Sequence, residues 1–187
     1  MKASLFVAAL LMALYVPSMS VSDETEDERF DLLKSAEILA HKSLMRRINH
    51  APDGLAAFET DGCSGGMSAG WSLVSAEMPE LAGTPDGDLP WTQCCVDHDK
   101  IYHVAGGATD ADASYEARLA ADDALRLCVI AIGEERKDAT MERFGLSEAQ
   151  VVLAYTIVAR SMYNAVRVGG GPCSFLPWRW GFGYPNC

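Results

Sequence analysis

The sequence predicts a small all-α domain braced by disulfides, and three observations carry that prediction. Apolar residues recur at helical spacing over several long stretches. The connections between those stretches are dense in Gly, Pro and Asp, which break regular structure. Six cysteines follow a segment with the make-up of an export signal, and an even count in an oxidising compartment reads as three bridges. A chain of 187 residues supports one domain with a sizeable core. At 49% hydrophobic and 22% charged it is not a disordered chain. With 26 Asp plus Glu against 15 Lys plus Arg, its net charge of −11 argues against a nucleic-acid partner, because neutralising phosphates takes a basic face.

Taken in order, Lys2 precedes an apolar run from Leu5 to Val16, and small residues follow at Ser18 and Ser20. That is a secretory signal over residues 1–20, cut before Val21, since the run is shorter than the ~20 residues a membrane-spanning helix needs. Residues 21–28, rich in Asp and Glu, read as an acidic flexible tail, and the domain proper runs from 29 to 187. Arg29 to Asn49 forms an amphipathic helix with Leu33, Ala36, Ala40, Leu44 and Ile48 on one stripe, ended by Ala51-Pro52-Asp53-Gly54. Thr60 to Gly66 is a glycine-rich loop, and Ala82 to Pro90 is a second turn-rich connection. Thr92 caps a helix running to about His103, ahead of Gly106-Gly107. A third helix runs from Thr109 to Ile132 and stops at Gly133. A fourth starts on the capping-box pair Ser147 and Gln150 and extends to about Val168. The remaining Pro- and Gly-rich stretch to Cys187 is irregular.

The chemistry concentrates in Cys94-Cys95-Val96-Asp97-His98-Asp99-Lys100-Ile101-Tyr102. On a helix Cys95, His98, Asp99 and Tyr102 share one face, offering a general base, a hard oxygen ligand and a hydroxyl side by side. A second group, Asp122-Asp123 with Cys128 six residues after Asp122, lies on the third helix. The six cysteines allow 15 connectivities, and the adjacent Cys94 and Cys95 point to different partners. If Cys94 bridges Cys128, the two helices approach antiparallel. His98 then lies roughly 6 Å from the bridge and Asp122 roughly 9 Å, within side-chain reach of one another. Asp122 could then orient the His98 imidazole, with Asp123 a competitor separated from it only by helix rotation. A third group, Asp61-Gly62-Cys63-Ser64-Gly65-Gly66, is able to curl so that several carbonyls face one point, as calcium requires.

Together these residues resemble the secreted phospholipase A2 superfamily. The family's Cys-Cys-x-x-His-Asp-x-x-Tyr run is present from Cys94 to Tyr102, its calcium loop is similar to the segment around Cys63, and its Asp and Cys six residues apart match Asp122 and Cys128. The likeness covers roughly residues 61–132, under half of the chain. It implies a helical domain with two antiparallel core helices and extra N- and C-terminal segments. It also implies a calcium-dependent hydrolase that cleaves the sn-2 ester of phospholipids at a membrane or micelle surface. Carried over, His98 is the base, Asp122 orients it and Tyr102 supports that carboxylate. Ca2+ would be held by the Asp99 side chain and the carbonyls of Gly62, Ser64 and Gly66. The resemblance selects the bridges Cys63–Cys95 and Cys94–Cys128, leaving Cys173–Cys187. The family loop reads Cys-Gly-x-Gly-Gly, whereas Ser64 stands at the first glycine position here and Met67 at the last. The short interval from Asp99 to Asp122 leaves little room for a β-hairpin, so the small microbial members are the better comparison.

The C-terminal stretch differs in charge and aromatics. From Ala149 to Cys187 there is no Asp or Glu but three Arg, and Phe175, Trp178, Trp180, Phe182 and Tyr184 crowd its end. Trp178, Trp180 and Phe182 are candidates for a lipid interface, because amphipathic rings suit a membrane boundary; the competing reading packs them into the core. His41 and His50 read as surface residues and His103 as structural or exposed. A zinc site fits poorly, as neither Cys-x-x-Cys nor His-x-x-x-His spacing occurs. The expected product is therefore exported, either secreted or periplasmic, with no protein partner indicated. The rival readings are a non-catalytic module of the same fold binding lipid or protein, and a structural metal module of the cell envelope.

Overall fold

In a computed structural model, the described residues are 23–50, 54–60, 62–63 and 89–187, with side chains from residue 31 onward. The signal segment, Asp61, Ser64, Gly66 and most of the second turn-rich connection lie outside them. Among the described residues the fold is all-α, with five helices and no strand. They are α1 (Asp23–His50), α2 (Thr92–His103), α3 (Ala111–Glu135), α4 (Lys137–Phe144) and α5 (Glu148–Gly169). One 3-10 turn, Ala105–Gly107, joins α2 to α3. The chain divides into Met1–Lys34, of which the opening turns of α1 are described, and Ser35–Cys187, which holds everything else. No helix among the described residues is long and apolar enough to cross a membrane.

The helix ends show which local signals operate. Ser147 and Gln150 form the predicted capping box at the start of α5. At α3 the cap is Asp110, whose carboxylate accepts from the Ala113 amide at 2.9 Å. The predicted Thr92 cap is not made: α2 begins without a side-chain cap, and the Thr92 hydroxyl donates to the Leu89 carbonyl at 2.9 Å instead. Gly133 does not end α3, which continues to Glu135. A Cβ there would lie 2.4 Å from the Tyr155 ring, so this glycine is a point of close helix approach rather than a stop. The short α4 was not expected; it ends on Gly145 in the left-handed region at φ 64°. In α1 the expected stripe holds over its second half, where Leu44 is buried and Ile48 packs against the core with Met45, but not at its start, where Leu33 is 63% exposed; His41, read as a surface residue, is fully enclosed.

Three disulfides brace the structure: Cys63–Cys95, Cys94–Cys128 and Cys173–Cys187. Such bonds form and persist in oxidising compartments. The pairings Cys94–Cys128 and His98–Asp122, with Arg118 bonded to Tyr102, show that α2 and α3 run antiparallel. Gly133 against Tyr155 and Arg118 against Val166 show the same for α3 and α5. One core cluster gathers Trp91, Leu125, Val129, Val151, Tyr155, Ala159 and Met162 with the Cys94 and Cys95 sulfurs. A second gathers Leu44, Met45, Tyr102, Ala105, Ala121 and Trp180. Asp122 sits on α3 where the two clusters meet, between Ala121 and Leu125.

The C-terminal stretch is irregular, as its Pro and Gly content requires, but it is tightly placed. Its amides donate to the end of α2, from Gly181 to the Tyr102 carbonyl at 2.7 Å and from Gly183 to the His103 carbonyl at 3.1 Å. This placement corrects one of the lipid-interface candidates, Trp180. Trp180 is fully buried and gives its indole N–H to Ser114. Phe182 is half-buried with its ring 5.1 Å from that of His103.

Candidate active site

The antiparallel crossing of α2 and α3 brings His98 and Asp122 together four residues and six residues from their shared bridge. The His98 Nε2 lies 3.1 Å from Asp122 Oδ1, which fixes the tautomer with the proton on Nε2 and leaves Nδ1 bare. Tyr102, one turn along α2, donates its hydroxyl to the same Oδ1 at 2.5 Å. The Tyr102 ring also stacks on the imidazole at 4.1 Å between centroids. Burial holds the Tyr102 hydroxyl well above the usual tyrosine range, so it remains a donor. Burial opposes a charge on His98, but the hydrogen bond to Asp122 and the negative charges of Asp122 and the neighbouring Asp99 outweigh it, and its pKa rises above the ordinary value. Asp123, the axial competitor, turns away and pairs with Arg126 at 2.7 Å.

The other oxygen of Asp122 is held by a residue the sequence did not mark. Arg167, on the last turns of α5, donates from Nη1 to Asp122 Oδ2 at 3.0 Å. Its Nη2 donates to Glu37 Oε2 on α1 at 2.7 Å. The remaining Glu37 oxygen accepts from Arg118 Nη1. Arg118 is almost fully buried; it also donates to the Tyr102 hydroxyl at 3.2 Å and to the carbonyls of Val166 and Arg167 at 2.7 and 2.9 Å. Two carboxylates thus alternate with two guanidinium groups across three helices, α1, α3 and α5, a balanced arrangement of the kind a buried charge requires. Beside it, the Ser114 hydroxyl accepts from Trp180 at 2.9 Å and donates to His41 Nδ1 at 2.8 Å. Burial holds the His41 pKa below the ordinary histidine value, favouring the neutral ring.

On the open side, Asp99 Oδ1 lies 3.6 Å from His98 Nδ1. Asp99 Oδ2 accepts from the Thr60 hydroxyl at 2.7 Å, and Thr60 Oγ1 in turn accepts from the Gly62 amide at 3.0 Å. The Cys63–Cys95 bridge ties the same loop to α2. A small cavity of about 50 Å³ opens here, lined by Gly62, Cys63, Cys95, His98 and Asp99, with apolar walls from Leu125, Met162, Ala165, Val166 and Trp178. Trp178 reaches this wall because Gly169 lets it approach: a Cβ at that glycine would sit 2.2 Å from the indole edge.

Of the residues expected at the site, His98, Asp99, Asp122, Tyr102 and Gly62 converge, and Trp178 borders the cavity. Ser64 and Gly66 lie outside the described residues. Sequence reasoning missed Arg167, Glu37, Arg118 and Thr60, whose placement depends on helices and loops distant in the chain. The one available signal was for Arg167, a cation in a stretch free of Asp and Glu and therefore without a local partner. Among the described residues no group of three or more His, Cys, Asp or Glu side chains could hold a metal, so any cation here would draw on backbone and hydroxyl oxygens as well. Comparison with protein-family models, curated proteins and solved structures finds no match.

Proposed function

We propose that the protein is a calcium-dependent hydrolase of the phospholipase A2 type, cleaving the sn-2 ester of phospholipids to release fatty acid and lysophospholipid. One observation carries this reading: a histidine whose Nε2 is paired with a buried carboxylate lines an apolar-walled cavity, with its Nδ1 beside a second carboxylate. A histidine fixed in this way is poised to take a proton from water rather than to act as a nucleophile. The attacking water would lose its proton to Nδ1 while Asp122 stabilises the imidazolium that forms. The apolar wall of Leu125, Met162 and Trp178 offers an acyl chain a place to lie.

The Asp99 carboxylate and the Thr60 hydroxyl, hydrogen-bonded beside the cavity, are oxygens of the kind calcium, a hard cation, takes. With Gly62, the carbonyls of Ser64 and Gly66 would complete the ligand set. Bound there, calcium would supply charge to the substrate phosphate and the ester oxygen. The test is fatty-acid release from mixed phospholipid vesicles, with calcium or with excess chelator, by the oxidised protein and by His98→Gln. Calcium-dependent release lost in the variant is the expected result. Vesicle binding by folded wild type with no release would replace this reading with a non-catalytic lipid-binding module.

A further inference from the structure

We infer that Arg167 is the positioning residue that fixes the Asp122 carboxylate, and through it the His98 ring, while Glu37 holds Arg167 in place; this rests on the hydrolase reading above. The two known partners of Asp122, His98 at 3.1 Å and Tyr102 at 2.5 Å, both engage Oδ1. The final torsion of an aspartate is broad, so contacts to one oxygen leave the carboxylate plane free to turn. The Oδ2 bond from Arg167 Nη1, at 3.0 Å, removes that freedom. The next nearest cation, Arg118 Nε, is 3.9 Å from Oδ2 and aims its hydrogen bond at Tyr102 instead.

An arginine alone would be a poor anchor, because its side chain has several soft torsions and its charge would cancel the one that Asp122 supplies to an imidazolium. Glu37 answers both problems. It takes the second Arg167 nitrogen at 2.7 Å, and it accepts from Arg118 with its other oxygen. The charge of Arg167 is thereby shared with a second carboxylate. The 18% exposure of Arg167 and 20% of Glu37 place this pair at the rim of the network, where substitution is tolerated better than at Asp122. An arginine in this place does by an ion pair what a neutral hydroxyl could do by one hydrogen bond, and it makes α1 and α5 part of the site.

The experiment compares the full-length oxidised protein with Arg167→Ala, Arg167→Lys, Glu37→Gln and, as a control, the exposed Arg160→Ala, on phospholipid vesicles with calcium. Arg167→Ala should lower kcat about 10–100-fold with KM nearly unchanged, as misoriented ligating or catalytic groups do. Arg167→Lys and added guanidinium ion should each restore part of the loss, and Glu37→Gln should give a smaller loss in kcat. NMR of the imidazole nitrogens should show one His98 tautomer in wild type and a mixture in Arg167→Ala. A folded Arg167→Ala with wild-type kcat, a loss confined to KM, or an unmixed tautomer overturns the inference. Should Arg167→Ala not fold, wild-type kcat in both Arg167→Lys and Glu37→Gln overturns it equally. If wild type itself releases no fatty acid the hydrolase reading falls, and the NMR comparison still decides whether Arg167 orients the pair.

Discussion

Replacing Asp122 by Asn tests the buried network without changing its volume. Asp122 is fully buried and accepts from His98, Tyr102 and Arg167 at 3.1, 2.5 and 3.0 Å. An amide offers one oxygen and one NH2, so in either orientation a donor faces a donor. The cheaper orientation keeps the oxygen on Tyr102 and His98 and turns NH2 toward Arg167, which retains Glu37. Losing a hydrogen bond to a charged group costs about 1.5–3 kcal/mol, and breaking a buried ion pair about 3–5 kcal/mol. The surviving Glu37 contact favours the lower end, about 3 kcal/mol, which should lower the urea midpoint by about 1–2 M.

The same variant carries a pH signature. The folded pKa of His98 stands above its unfolded value of 6.5, so its contribution to stability is fully present below 6.5 and is lost as pH rises through the raised folded value. Asp122 is the foremost cause of that rise, set against the opposing effect of burial. The destabilisation by Asp122→Asn should therefore be larger near pH 5.5 than near pH 8, read from urea titrations of oxidised protein at both values. Fatty-acid release should also fall by about 10³–10⁴-fold, the scale on which a histidine loses its orienting carboxylate. A stability loss below about 1 kcal/mol, or one that grows with pH, would refute the network as described.

Other substitutions probe the scaffold. Gly133→Ala should lower stability by about 1–3 kcal/mol despite alanine's better helix propensity, because its methyl meets the Tyr155 ring; thermal unfolding reads this directly. Trp180→Ala should cost about 3–5 kcal/mol and reduce vesicle binding only in step with loss of fold, since the ring is fully buried. Removing the Cys173–Cys187 bridge, which spans 14 residues, as a double Ser variant should cost about 2–4 kcal/mol in denaturant unfolding.

The helices were legible because their signals are local, a capping box and helical periodicity, whereas the His98–Asp122 pair followed only once the family resemblance had selected the Cys94–Cys128 bridge. The Arg118–Glu37–Arg167 arrangement was not legible. Each of these side chains sits on an amphipathic helix where a charge ordinarily faces water, and only the packing of α1, α3 and α5 encloses them. Gly133 misled for a related reason. A glycine late in a helix reads as a terminator, and the Tyr155 ring that requires it lies on another helix. Trp180 was ambiguous between membrane and core until Ser114, far away in sequence, supplied the partner for its indole. The α4 segment was overlooked because its many charges mask a short helix capped by Gly145.

The adjacent cysteines of α2 make oxidative folding a choice of face. Cys94 takes Cys128 and Cys95 takes Cys63. Neighbouring positions on a helix differ by about 100° of rotation. Exchanging the two partners would demand a roll of α2 about its own axis of roughly that size, carrying His98 away from Asp122 while preserving every disulfide count and nearly all helix content. Such a shuffled isomer would pass for native protein by mass and by far-ultraviolet circular dichroism, yet lack the site. For this chain, the thiol chemistry that closes the first of these two bridges selects between a molecule with an oriented histidine and one without.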